Sequence, residues 1–407
     1  MKLIFAVDAV FPPLTGIGRY AWELASGLAK SADAAQVRYF LHGRFVPNPT
    51  LATTPMPDAT AAALGAPAST PAPLPERMPL SARLRAALAR SPTAVQLYGA
   101  IAPSVYRWRL KSQADALFHS PNYFLPPFDG PALSTVHDLS TLLYPQFHPA
   151  ARVAFMDAEL PKTLRQATHL ITVSEFIRQQ IIAQLQWPAD KVTSIALGVD
   201  ARFHPRTAQG TQAVLAHYGL PHGQYTLCVA TMEPRKNIAR LIAAHQALPE
   251  ALRLRYPLVL AGSAGWNSEA LHQQITSLQG ASLRYLNFVP QEHLYALYAG
   301  ARLFAFPSIY EGFGLPVLES MASGVPVLIS NAASLPEVGG AAAWQVEPLE
   351  VDSIRDGLAH CLQDEDWRAT AVPAGLHIAA EHTWERCFAQ TQALYRRFAP
   401  TAAKGRA

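Results

Sequence analysis

Cysteine is scarce in this sequence. Cys228, Cys361 and Cys387 are the only three, and they are far apart and lack the short spacings of a metal site. An odd, scattered set does not indicate a disulfide framework either. We therefore expect three reduced thiols in a cytoplasmic protein that holds no structural metal.

Long apolar runs are also missing. The apolar run that begins at Leu3 stops at Asp8, which is shorter than the apolar region of a signal peptide, so we predict a first strand there. No run reaches the roughly 18 apolar residues that a membrane-spanning helix needs. We expect a chain that does not cross a membrane.

Charge is sparse and weakly unbalanced. Charged residues make up 15% of the chain, and the formal net charge is +4. This small excess does not favour a nucleic-acid partner. It fits an anionic small ligand or weak attachment to an acidic membrane surface equally well.

Two α/β domains are expected from the length and the pattern. A single core rarely grows beyond roughly 250–300 residues, and the chain has 407. Two successive series of short apolar runs and helical patterns predict two doubly wound parallel sheets. The predicted strands are Lys2–Val7, Val37–Leu41, Ala132–Val136 and His169–Val173, then Tyr225–Ala230, Leu258–Ala261, Leu283–Leu286, Leu303–Phe306 and Val325–Ser330. The predicted helices include Gly18–Lys30, Glu175–Gln186 with Ser174 as its cap, Asn237–Leu248 and Gln291–Ala299.

The domain boundaries follow from composition. Residues 198–222 are rich in Gly, Pro and His and are interpreted as a linker between domains 1–200 and 201–381. Residues 46–80 are rich in Pro, Ala and Thr and predict a long surface loop inserted in the first domain. Ligands of such sheets bind beyond the carboxyl ends of the strands, so we expect two Rossmann-like domains that face each other across a cleft.

The most specific motif runs from Glu311 to Glu319. Between the two carboxylates lie a Gly-Phe-Gly turn and Pro316, which suits the first turn of a helix. The N–H groups of such a helix start favour an anion or sugar hydroxyls, and each carboxylate can hold a pair of hydroxyls. The alternative is a turn whose acidic residues merely favour the helix dipole.

A second motif follows the first strand of the second series. Glu233-Pro234-Arg235-Lys236-Asn237 places two adjacent cations at the carboxyl end of a strand, where they suit a diphosphate leaving group. A solvated turn is the alternative interpretation.

Two weaker signals lie in the first series. Gly16 and Gly18 stand between the first strand and the first helix, where glycine lets the backbone approach a ligand. They do not complete a dinucleotide fingerprint, because Ala21 occupies its third glycine position. His137 follows a strand, where either a structural role or a substrate contact is expected.

With these motifs in place, the chain resembles the retaining glycosyltransferases of family 4, which have the GT-B architecture. The resemblance covers nearly all of the chain except residues 46–115. It rests on Glu311…Glu319, on Glu233–Asn237, on Gly16-Ile17-Gly18 and on Ala196-Leu197-Gly198-Val199-Asp200. Within the family the chain looks most like bacterial mannosyltransferases that build O-antigen or exopolysaccharide.

The resemblance implies a role for each motif residue. Arg235 and Lys236 would hold the donor diphosphate, and Glu319 the ribose. Glu311 and the N–H groups of Phe313, Gly314 and Leu315 would hold the donor sugar, with His137 beneath it. Gly16 and Gly18 would let the first domain approach the diphosphate and acceptor, and Val289 would contact the base. A C-terminal helix 382–400 would pack on the first domain.

The implied reaction moves a hexose, with mannose favoured, from a nucleoside diphosphate sugar such as GDP-mannose to a hydroxyl of a lipid-linked or polysaccharide acceptor. The anomeric configuration would be retained, and neither a metal nor a cofactor would be needed. Two alternatives stay open: a sugar-nucleotide 2-epimerase, and a non-catalytic protein that binds a nucleotide sugar and scaffolds an assembly.

A basic segment precedes residue 112 and suggests where the chain would meet a lipid. It is either a solvated helix face or a surface that rests on anionic headgroups at the inner face of the plasma membrane. Its cations are Arg77, Arg83, Arg85, Arg90, Arg107, Arg109 and Lys111.

Overall fold

The computed structural model describes residues 1–10, 14, 16–51 and 104–400. The predicted surface loop 46–80 lies outside these residues from position 52 onward, as does the part of the basic segment before residue 104.

The first sheet has seven strands. They are β1 (Leu3–Ala6), β2 (Val37–Leu41), β3 (Arg44–Val46), β4 (Leu117–Ser120), β5 (Ala132–Val136), β6 (His169–Thr172) and β7 (Val192–Ser194). Their order is β3-β2-β1-β4-β5-β6-β7. Strands β1, β4, β5 and β6 are completely buried, as expected for central strands with both faces covered.

Three of these strands were not predicted. Strand β4 contains His119 and Ser120, which are buried although polar, so the sequence shows no continuous apolar run there. Strands β3 and β7 are three-residue edge strands, and β3 runs antiparallel to β2, unlike the parallel strands that the pattern predicted.

Two helices of this half were predicted and are confirmed with small shifts, Gly16–Lys30 and Glu175–Leu185. Two more, Ser140–Leu143 and Ala150–Gln166, were not predicted, and residues 104–110 are also helical. The predicted cap is confirmed: the Ser174 hydroxyl accepts a hydrogen bond from the Ile177 N–H at 3.2 Å.

The second sheet has six strands, all paired in parallel. They are β8 (Thr226–Val229), β9 (Leu258–Ala261), β10 (Leu283–Tyr285), β11 (Leu303–Phe306), β12 (Val327–Ser330) and β13 (Ala343–Val346). Their order in the sheet is β10-β9-β8-β11-β12-β13. From β8 the chain first adds strands on one side, β9 and β10, and then adds β11, β12 and β13 on the other side of β8. That reversal is a topological switch point, where doubly wound sheets bind ligands.

One helix precedes the second sheet, and the others connect its strands or follow it. They are Ala208–His217, Ile238–Gln246, Glu250–Arg255, Glu269–Leu278, Gln291–Ala299, Leu315–Ala322, Leu335–Gly339, Val351–Gln363, Glu365–Glu381 and Trp384–Phe398. The first of them lies inside the predicted linker 198–222. The Thr207 hydroxyl caps that helix by accepting from the Gly210 N–H at 3.2 Å.

Two compact units divide the chain. The first comprises Met1–Ser134, Lys162–Thr168 and Tyr395–Ala407, and the second comprises Thr135–Pro161 and His169–Leu394. The domain limits at residues 200 and 381, drawn from composition, stay a prediction.

The C-terminal helix contributes its last turn to the first unit. The Tyr395 hydroxyl and His119 Nδ1 lie 2.7 Å apart, and both side chains are completely buried. Just before this helix, the His382 carbonyl accepts a hydrogen bond from the Val199 N–H at 3.0 Å. Gly198 packs so closely on Thr383 and Trp384 that a Cβ would lie 2.2 Å from the Trp384 nitrogen. The Ala196–Asp200 motif therefore serves this packing.

Within the described part of the chain, no helix combines the length and the apolar character that crossing a bilayer would require. Cys228, Cys361 and Cys387 are buried, and none of the three is in a disulfide.

Candidate active site

The loop after β8 carries the two cations. Pro234–Lys236 forms a single 3-10 turn, and Asn237 takes a left-handed conformation with φ of 59°. The Asn237 side chain donates to the carbonyls of Pro307 and Pro348 at 2.9 and 2.6 Å. Asparagine tolerates this φ and ties the turn to the loop after β11, so Arg235 and Lys236 are held at the switch point.

The loop after β11 carries the Glu-x7-Glu motif. Gly314 has φ of 120° and precedes the helix Leu315–Ala322, whose first turn contains Pro316. The Ser334 hydroxyl lies 2.9 Å from the Glu311 carbonyl and 2.8 Å from the Phe313 carbonyl, which holds the turn in shape. The strand, glycine turn and helix predicted for this motif are confirmed.

Arg235, Lys236 and two carboxylates form one ion-pair cluster. Arg235 Nη1 donates to Glu311 Oε2 at 3.0 Å, and its Nη2 donates to Glu233 Oε1 at 2.8 Å. Lys236 Nζ donates to Glu311 Oε1 at 2.7 Å. The four side chains are between 4% and 14% exposed, so these pairs are shielded from water. The sequence predicted the residues but not their pairing with each other.

Electrostatics keep Glu311 and Arg235 ionised. Burial alone would raise the pKa of the Glu311 carboxyl, but Lys236 and Arg235 outweigh it and hold that pKa below its ordinary value. Burial alone would lower the pKa of Arg235, but Glu311, Asp138 and Glu233 outweigh it and raise that pKa. Glu311 and Arg235 are therefore both charged at neutral pH.

His137 lies directly against the glycine turn. A Cβ added to Gly312 would lie only 2.0 Å from the His137 carbonyl oxygen, so glycine is required at this close approach. The Gly312 carbonyl in turn accepts a hydrogen bond from the Ser174 hydroxyl at 2.7 Å. The structure thus brings His137 and Glu311 into one site.

Asp138 adds a third anion beside this cluster. Its Oδ1 accepts from the N–H and the hydroxyl of Ser140 at 2.9 and 2.7 Å. Burial alone would raise the pKa of Asp138, but Arg235 and the Ser140 donors outweigh it and hold that pKa below its ordinary value. Counting Asp138, the carboxylates near Arg235 outnumber the cations.

Glu319 lies one turn into the helix Leu315–Ala322 and is half-buried. Tyr298, completely buried on the helix Gln291–Ala299, lies close to it: burial first, and then the Glu319 carboxylate, raise the pKa of that phenol. Phe313 is 5% exposed, whereas Leu315 at the helix start is half-buried.

The contacts predicted for Gly16, Gly18 and Val289 stay predictions. Gly16 and Gly18 open the helix Gly16–Lys30 in the first unit, and a Cβ on Gly18 would lie 2.9 Å from the Ala9 carbonyl oxygen, so its own loop already demands glycine. Val289 is 6% exposed, whereas its neighbour Phe288 is 49% exposed.

The sequence analysis assigned no role to three residues of the site: Glu233, Asp138 and Tyr310. Each directly neighbours a residue that was singled out, or lies two positions from it. Their positions next to Arg235, His137 and Glu311 at strand ends were the available signal.

Sequence comparisons decide the family. Residues 14–203 match the family model Glycosyltransferase Family 4, and residues 219–376 match Glycosyl transferases group 1. The O-antigen chain mannosyltransferase B of Escherichia coli is 38% identical over 397 residues, which cover 97% of this chain and 100% of that protein. The chain belongs to glycosyltransferase family 4.

Solved structures agree with this assignment at the level of the fold. This family 4 glycosyltransferase is similar to HepE of Anabaena in complex with UDP, with a TM-score of 0.68, 17% identity, and 98% and 100% of the two chains covered. It is equally similar to WaaG, a glycosyltransferase involved in lipopolysaccharide biosynthesis, with a TM-score of 0.68, 16% identity and coverage of 98% and 100%.

The family assignment confirms the expected GT-B fold and glycosyltransferase activity. A glycosyltransferase of this family uses a nucleotide-sugar donor. The epimerase alternative finds no support among these relatives.

Proposed function

We propose that this glycosyltransferase moves a mannosyl residue from GDP-mannose to a hydroxyl of a lipid-linked, O-antigen-like polysaccharide and retains the anomeric configuration. The observation that carries the proposal is the 38% identity to an O-antigen chain mannosyltransferase over essentially the whole of both chains.

The cluster around Arg235 supplies the chemistry for the leaving group. As the sugar–phosphate bond breaks, negative charge develops on the diphosphate, and Arg235 and Lys236 stabilise that charge. Both cations are paired with Glu311. In the proposed reaction the diphosphate takes over these two cations, and Glu311 turns its carboxylate to the hydroxyls of the donor sugar.

The acceptor hydroxyl attacks on the face from which the diphosphate departs. Its oxygen bonds to the anomeric carbon, the bond from that carbon to the phosphate oxygen breaks, and the acceptor proton passes to the departing phosphate. His137 lines the opposite face of the sugar. Since the protein's own cations neutralise the diphosphate, the proposed reaction uses no metal and no cofactor.

A donor panel tests this function. Purified protein is incubated with a mannose-terminated acceptor and with GDP-mannose, UDP-glucose or UDP-galactose, and the products are analysed by mass spectrometry and NMR. We expect transfer from GDP-mannose, an α-linked product from the α-linked donor, and unchanged turnover in EDTA. Transfer from another donor, an inverted product, or a strict need for Mg²⁺ or Mn²⁺ would each contradict one part of the proposal.

Glu319 provides a prediction about donor affinity. If its carboxylate holds the ribose hydroxyls, Glu319→Gln weakens a charge-assisted hydrogen bond and should raise the donor KM about tenfold with little change in kcat. The exposed Glu292→Gln is a control in the same unit. A donor KM equal to that of the parent protein would remove Glu319 from the ribose site.

The acceptor side leads to a prediction about membranes. Trp108 is 71% exposed and Val105 is 41% exposed, next to Arg107, Arg109 and Lys111. Each cation near an anionic surface contributes roughly 1 kcal/mol, and salt screens this attraction. We propose that this segment rests on anionic lipids, where a lipid-linked acceptor would be available.

Sedimentation with vesicles tests the membrane contact. The protein should sediment with anionic vesicles at low salt and be released from them at about 1 M salt. It should not sediment with neutral vesicles. A variant with Gln at five arginines should stay in the supernatant; they are Arg83, Arg85, Arg90, Arg107 and Arg109. If the parent protein ignores anionic vesicles at low salt, the basic segment is a solvated surface.

A further inference from the structure

Tyr310 connects the loops that carry the reacting groups. It directly precedes Glu311, and its backbone carbonyl accepts a hydrogen bond from Arg235 Nη1 at 2.7 Å. Its phenol hydroxyl bonds to two other segments of the second unit. The side chain is 1% exposed.

The phenol hydroxyl makes two hydrogen bonds. It accepts from the Leu139 N–H at 3.2 Å and donates to Gln180 Oε1 at 2.5 Å. Leu139 is two residues after His137, and Gln180 lies on the helix whose cap, Ser174, holds the Gly312 carbonyl. Burial raises the pKa of the phenol, so it keeps the proton that it donates to Gln180.

Aromatic rings hold the phenol in this direction. The Tyr310 ring lies 5.2 Å from the ring of Tyr144 and 6.0 Å from that of Phe176, the latter edge to face. A completely buried ring between two others has little freedom to rotate. The hydroxyl is therefore a fixed point, and the peptide after Asp138 is bonded to it.

We propose that Tyr310 is a positioning residue. Its phenol holds the His137–Leu139 segment at a set distance from Glu311, so that His137 and Glu311 lie on opposite sides of the donor sugar. This rests on the proposed function of the site but concerns a side chain that touches neither donor nor acceptor. Displacing catalytic groups by about 1 Å can lower turnover by as much as about 100-fold, so one hydroxyl at this point has a large effect.

Tyr310→Phe tests the proposal because it removes one oxygen and leaves the ring in place. We expect kcat to fall about tenfold or more, the donor KM to change less than about twofold, and a larger share of donor to be lost to hydrolysis instead of transfer. Tyr144→Phe is the matched control, because the structure records no hydrogen bond from the Tyr144 hydroxyl to any described residue.

Hydrogen–deuterium exchange gives a readout that needs no substrate. The peptide covering residues 137–143 should exchange faster in Tyr310→Phe than in the parent protein, and at the parent rate in Tyr144→Phe. If the parent protein transfers no mannose but Tyr310→Phe still exchanges faster, the proposed function is contradicted and the positioning role stays intact. Parent-like exchange and parent-like kcat would overturn the positioning role.

A second variant guards against loss of folding in the first. Gln180→Met keeps the length of a half-buried side chain but removes the acceptor of the phenol proton. We expect a smaller fall in kcat, about threefold to tenfold, again with an unchanged donor KM. If Gln180→Met turns over as fast as the parent protein while Tyr310→Phe does not fold, the proposal is overturned.

Discussion

Replacing Arg235 or Lys236 is expected to lower kcat about 100-fold or more, because in the proposed reaction each contributes a buried cation where the leaving diphosphate gains charge. Arg235→Lys keeps the charge but loses the planar fork that reaches Glu311 and Glu233 together. Lys236→Met keeps the length of the side chain and loses the charge. We expect both to be strongly impaired when kcat is measured at saturating donor.

Folding must be measured beside turnover in these variants. Removing Arg235 altogether would leave Glu233 and Glu311 buried without their shared partner, which destabilises proteins by about 3–5 kcal/mol. The substitutions to Lys and Met therefore serve better than alanine, with thermal unfolding as the check. Lys191→Ala, at an exposed turn, is the control for loss of one lysine. A folded Lys236→Met variant with parent-like kcat would show that the diphosphate is held elsewhere.

A comparably large effect is expected from Gly312→Ala. The new Cβ would lie 2.0 Å from the His137 carbonyl oxygen and 3.0 Å from its carbonyl carbon. The contact is with backbone, so no side-chain rotation relieves it, and either the Glu311 loop or the His137 loop must move. Given the cost of misplacing catalytic groups, we expect kcat to fall about 100-fold while the sheets remain folded.

Gly280→Ala is the matched control for this substitution. A Cβ there meets nothing within 4 Å, so kcat should be that of the parent protein. Circular dichroism and thermal unfolding would separate a local shift from loss of folding. Parent-like turnover in Gly312→Ala would mean that the His137 and Glu311 segments can separate without harm to the reaction.

The sequence predicted most of the fold because central parallel strands are continuous apolar runs. Val37–Leu41, Ala132–Val136, Leu258–Ala261 and Leu303–Phe306 have the predicted bounds. Strand β12 begins two residues later than predicted, after Pro326, which has no N–H to give to a ladder. Strand β13 was missed because its first three residues are only half-buried or exposed, and the polar Gln345 interrupts the apolar pattern.

The candidate site was less predictable than the fold. Local chemistry identified Arg235, Lys236 and Glu311, because cations and carboxylates at strand ends are conspicuous. Their mutual pairing joins residues more than seventy positions apart, and no local pattern reports such a contact. The contacts of Tyr310 were unpredictable for the same reason, since its partners Leu139 and Gln180 are far away in the sequence.

The buried bond between His119 and Tyr395 has a consequence for synthesis on the ribosome. Domains usually fold as they emerge, the N-terminal one first. Here the first compact unit begins at the N-terminus but draws its last piece from beyond residue 394. A nascent chain that has not reached Tyr395 lacks the hydroxyl that bonds to His119. The first unit is therefore completed only after the whole of the second has been made.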